Sequence, residues 1–246
     1  MPKEFATLIA ALIGAISGSV FGPIVKDLLA TRQTRTRRQQ RIAQLYLTQL
    51  QDAVDSLCYR FDNLADRGGW QVMDESYRVV STLYAWACVT AYRRILRLDG
   101  VYAQLESIGK EQLATRLRED FLKIDETLKD DELQFYDRLT LAESVIVRER
   151  GQLRTSTFLE FSRQYAENKF HDSLEPARRY LGRLQQESEL RKEGCENAPK
   201  EQKRKCLSDA IDLLVEMEKH ISEGTREPTQ LDHLRDKHPK SRCKSK

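Results

Sequence analysis

Proline is scarce in this 246-residue chain: six occur, and none lies between Ile24 and Glu175. So long a proline-free stretch excludes a loop-rich β-sandwich and favours helices. The 11 glycines serve mostly as punctuation. Five cysteines without close pairing exclude a zinc ribbon and a disulfide-dense scaffold. A nucleotide-binding glycine loop, a nucleophile elbow and a zincin helix are all missing. At 40% hydrophobic and 32% charged residues, the bulk of the chain is not a polytopic membrane protein.

Charge is absent from one segment altogether. Residues 5–25 read FATLIAALIGAISGSVFGPIV, 21 residues without an ionisable side chain. As a helix this spans roughly 31 Å, the hydrocarbon thickness of a bilayer. Lys3 and Glu4 bound it on one side, Lys26 and Asp27 on the other. A cleaved signal peptide would carry a basic leader and a shorter apolar core; here the basic cluster follows the run. A transmembrane anchor is therefore expected over residues 1–30. Six Lys/Arg lie in residues 26–41 against one lysine before the run. The positive-inside rule then places the N-terminus outside and the rest in the cytoplasm. In that compartment Cys58, Cys88, Cys195, Cys206 and Cys243 read as free thiols. With the opposite topology, Cys195 and Cys206 would be the first disulfide candidates.

Within the anchor, Gly14, Gly18 and Gly22 recur every four residues and share one helix face. Such a seam lets two backbones approach closely in lipid, which predicts self-association. Its competing reading is the ordinary glycine content of membrane helices. Pro23 ends or kinks the helix. Residues 31–41 form a basic juxtamembrane stalk, either helical or a hinge, in which Arg35, Arg37, Arg38 and Arg41 are candidate contacts to anionic headgroups.

The remaining charge is unevenly spread. Residues 26–41 carry +5 and residues 224–246 carry +4, so the body between them carries −6 within a total of +3. An acidic body lacks the broad positive face that nucleic acid needs.

That body reads as a succession of helices. Leu47, Leu50, Val54, Leu57, Phe61 and Leu64 follow a 3-4 heptad seam, a coiled-coil pattern that Gly68 and Gly69 stop. A second helix is expected over 72–98, with Arg93, Arg94 and Arg97 complementing its C-terminal dipole. Its charge-free centre at 79–92 is short for a membrane span and suits a central bundle helix. Tyr84, Trp86, Tyr92 and Tyr102 are core aromatics on this reading, or else a pocket lining. A third helix covers 101–129 with a break at Gly109. Asp130 and Asp131 form a turn and N-cap. A fourth helix carries Leu133 through Ile146 up to Arg150, and Gly151 ends it. Further helices are expected over 155–170, over 173–193 with Pro176 in the first turn, and over 203–223. The helices share no fixed period, which excludes a solenoid of repeats.

Candidate chemistry is thin. Glu167, His171 and Glu175 are spaced i, i+4, i+8 and could hold a metal on one helix face. Ser173 and Pro176 argue for a break in that stretch, and a solvated histidine is the simpler reading. His233, His238 and Cys243 lack any shell to orient them as ligands.

The expected architecture is all-α: a single transmembrane helix (1–30), a basic stalk (31–41), an irregular antiparallel helical bundle in the cytoplasm (42–223) and a disordered basic tail (224–246). The expected role is a membrane-anchored interaction module, as adaptor, scaffold or sensor, without catalysis or cofactor. Its expected partners are membrane lipids, another protein and, through the glycine seam, a second copy, but not nucleic acid. The alternative is a membrane-disrupting effector whose anchor oligomerises under control of the helical body.

Overall fold

The structure is a computed structural model. It describes residues 26, 30–34, 36, 37, 39–66, 74–129, 133–167, 169–189, 199–225, 229 and 231. The chain divides into two compact units, residues 1–42 and 43–246.

In the first unit every described residue is helical. Thr34 and Thr36 donate their hydroxyls to the carbonyls of Ala30 and Arg32, each at 2.9 Å. These bonds let threonine side chains sit on a helix without competing for its backbone amides. The described part of the stalk is thus helical and not a hinge. The 5–25 run lies outside the described residues. Among the described residues, no helix is long and apolar enough to cross a membrane.

The second unit is mostly helical. A π-helical turn at Ala43–Leu47 leads into α1 (Thr48–Asp66). Then come α2 (Glu75–Leu98), α3 (Val101–Ser107), α4 (Glu111–Thr127) and α5 (Phe135–Glu143). A two-stranded hairpin follows, β1 (Ile146–Glu149) and β2 (Gln152–Thr155), and then α6 (Phe158–Ala166), α7 (His171–Glu189) and α8 (Pro199–Thr225). α8 packs against both α1 and α4, while α2 packs against α1 and α5.

The heptad seam is consumed inside the bundle. Leu47, Leu50, Val54, Leu57 and Phe61 are all buried, and burying a side chain of this size contributes about 2 kcal/mol. Phe61 meets Trp86 edge-on at 6.5 Å between ring centroids, and Trp86 meets Tyr180 at 5.5 Å, so one aromatic chain ties α1, α2 and α7. Tyr92 and Tyr102 are buried too, and the Tyr92 hydroxyl donates to Gln49 Oε1 at 2.7 Å. The second-helix aromatics are therefore core.

Three expectations need correction. The helix predicted to reach Arg150 ends at Glu143, and a β-hairpin takes its place. Val145, Ile146 and Val147 are β-branched and favour strand, and Ile146 pairs with Thr155. Arg150 and Gly151 both have positive φ, 51° and 83°, the signature of the two-residue turn whose twist matches a hairpin. The Tyr84 hydroxyl holds the hairpin to α2 by donating to the Ser156 carbonyl at 2.7 Å. Second, α7 begins at His171, so Pro176 lies past its first turn. Third, the bundle does not stop at 223. α8 includes Gly224 and Thr225, and Leu231 is fully buried with its amide donating to Glu218 Oε2 at 3.3 Å. Residues 232–246 of the expected tail lie outside the described residues, as do Asp130 and Asp131.

Candidate functional site

Of the three metal candidates read from sequence, Glu167 and Glu175 are engaged in ion pairs, and the side chain of His171 lies outside the described residues. Glu167 caps the C-terminus of α6, and His171 opens α7. Glu167 pairs instead with Lys169 at 2.8 Å, and Glu175 with Arg178 at 2.7 Å. Among the described residues, no three His, Cys, Asp or Glu side chains are grouped to hold a metal. Gly14, Gly18 and Gly22 lie outside the described residues, as do Arg35, Arg38, His233, His238 and Cys243. Arg37 and Arg41 are described and exposed on the helical stalk. Cys58 and Cys88 are free and buried, and burial pushes both thiols up, Cys88 to about 12, so neither is a reactive thiolate at neutral pH.

Two charged clusters emerge that no short motif announces. The first lies along α8. Glu218 is 0% exposed and hydrogen-bonds Asp55 of α1, itself 9% exposed. Burial, reinforced by the Glu218 charge and then by Asp52, pushes the Asp55 carboxyl up to about 7. Two carboxyls in contact can bond only by sharing a proton, so Asp55 is a neutral acid in mildly acidic solution. Two residues further along α8, His220 Nδ1 donates to Asp120 Oδ2 of α4 at 2.7 Å. Burial raises the Asp120 carboxyl despite this bond. Near the end of the same helix, Thr225 donates to Gln51 of α1 at 3.3 Å. With Asp55 and Glu218 closed to solvent, their visible consequence is a proton-dependent helix contact.

The second cluster lines an open cavity of about 190 Å³ between α2, α4 and α5. Arg93, Arg94 and Arg97 enter from the last turns of α2, Asp125 from α4, and Phe135 and Arg138 from α5. Asp125 binds the Arg93 guanidinium and lies 3.9 Å from Arg138 Nε. Arg138 Nε is buried with no hydrogen-bond acceptor, while its Nη1 donates to the Leu133 carbonyl at 3.2 Å. Arg94 reaches Glu143 at 2.9 Å. Burial disfavours the charged forms of Arg93 and Arg138. Preorganised guanidiniums of this kind suit the recognition of an oxyanion.

Sequence reasoning read Arg93, Arg94 and Arg97 only as helix-dipole complements and did not single out Arg138. The signal available was the i, i+1, i+4 spacing, which puts three cations on neighbouring faces of one turn. For the acid cluster, Gln51, Asp55, Cys58 and Asp62 form a polar stripe stepping 4-3-4 beside the heptad seam, and all four are buried. No protein-family model, curated protein or solved structure matches this chain.

Proposed function

We propose that the chain is a non-enzymatic helical interaction module held at a membrane, with residues 5–25 as its span and the helical body in the cytoplasm. The observation that carries this reading is the helical stalk. Arg32, Arg37 and Arg41 are exposed along it, directly after the 21-residue charge-free run in sequence. Cations so placed retain a stalk on the cytoplasmic side and contribute about 1 kcal/mol each near anionic lipid.

Carbonate washing of isolated membranes tests the attachment. The protein stays in the pellet on this reading, and release into the wash overturns it. Charge reversal by Lys26→Glu, Arg35→Glu, Arg37→Glu and Arg38→Glu should reorient the chain, as read by protease protection. Capture of the full chain from native membranes should recover a stoichiometric protein partner.

The spacing of Gly14, Gly18 and Gly22 supports a second reading, in which the anchor oligomerises and disrupts the membrane. Expression alone would then depolarise cells, and Gly18→Leu would abolish that effect. Intact potential during expression rejects it.

A further inference from the structure

The geometry points to an oxyanion site in the bundle: we propose that the cavity between α2, α4 and α5 binds a small organic phosphate monoester. The inference is independent of membrane attachment. Four guanidiniums and the Asp125 carboxylate line it among the described residues, with Glu143 paired to Arg94 and the Asp137 charge acting on Arg138. A phosphate monoester carries about −1.5 to −2 at neutral pH, roughly twice the charge of a carboxylate, and so gains most from several guanidiniums at one place. Arg97 is exposed on the last turn of α2 at the cavity, where it can reach a ligand. Arg138 lines the wall with its Nε closed to solvent, so it contributes charge and not a hydrogen bond to a ligand.

The rest of the lining says what the phosphate is attached to. Phe135 is 59% exposed at the cavity edge, and its ring meets Tyr136 edge-on at 5.6 Å. Leu139 and Ala142 add apolar wall. An aromatic or aliphatic group beside the phosphate would cover Phe135 and remove an exposed aromatic from water. A long polyanion is disfavoured, because the cavity is small and the body around it is acidic.

Isothermal titration of the full chain in an uncharged detergent tests this, with phenyl phosphate, inorganic phosphate and dihexanoyl phosphatidic acid as probes. Phenyl phosphate should bind saturably at one site and more tightly than inorganic phosphate. Phe135→Ala should erase that difference. Arg97→Glu, at an exposed position, should leave the circular dichroism spectrum unchanged and weaken binding about tenfold or more. Arg148→Glu makes the same charge change on the exposed end of β1 and should leave binding within about twofold. Tighter binding of the short-chain lipid, with the same Arg97 dependence, would identify a headgroup as the source of the phosphate. Absence of saturable binding by all three probes overturns the proposal, and so does equal weakening by Arg97→Glu and Arg148→Glu.

Discussion

The two helix interfaces of the bundle handle charge in opposite ways. Between α1 and α8, two carboxyls are enclosed together, and burial beside Glu218 pushes Asp55 towards its neutral form. Between α2 and α5, like charges stand around an open cavity, and one carboxylate, Asp125, counters two of the four guanidiniums. Carboxyls can neutralise by taking up a proton. Arginine cannot lose one in any accessible pH range, so a cluster of arginines needs counter-charge from a residue or a ligand. The first interface is consequently closed, with a contact that titrates, and the second is open, with a contact that relies on fixed counter-charge.

The largest break in this contrast should come from Asp125→Ala. It removes the internal counter-charge of Arg93 and Arg138 and should cost about 2–3 kcal/mol in urea unfolding. Phosphate in the buffer should recover part of that loss.

Next in size is Asp55→Asn. In the folded protein the Asp55 carboxyl titrates near 7, against 3.8 for its ordinary value. Its folded form therefore holds more protons, and the native protein loses stability as pH rises from about 4 through 7. The asparagine variant should be more stable by about 1–3 kcal/mol at pH 8, with the gain shrinking towards pH 4. Thermal unfolding across that range reads it. A gain that is constant with pH would place the proton elsewhere.

Close packing at α8 should give a smaller effect. A Cβ on Gly224 would lie 2.7 Å from Leu113 Cδ2 and 3.0 Å from Leu47 Cδ1. Gly224→Ala should therefore cost about 1–2 kcal/mol through overpacking. The smallest effect sharpens the contrast from the other side. Arg97→Ala should change stability by less than about 0.5 kcal/mol, since its side chain is exposed.

Much of the bundle was legible from period alone. Leu50, Val54, Leu57 and Phe61 mark the buried face of α1, and Gly109, with φ of 72°, breaks the third expected helix where its glycine suggested. Local reading failed where two structures competed for the same residues. Val145 to Val147 extend an apolar stripe and equally suit a strand, and the Arg150-Gly151 turn decides between them. Reading Gly224 as the start of a tail failed for a different reason: its small size is required by Leu47 and Leu113, which the chain brings near only on folding. The same holds for both charged clusters. Arg138 joins Arg93, and Glu218 joins Asp55, through packing that no window of sequence contains.

α8 also sets the order in which the body can assemble. Its bond from Thr225 to Gln51 spans 174 residues of chain. Until α8 arrives, α1 lacks the partner that covers Asp55, and α4 lacks the one that covers Asp120. Closure over such sequence distances slows folding, and synthesis delivers α8 well after the faces it must cover. A chain halted before Leu231 would leave Glu218 without the amide that bonds it. A ribosome-stalled chain lacking the C-terminal segment should therefore be far more sensitive to protease than the finished protein.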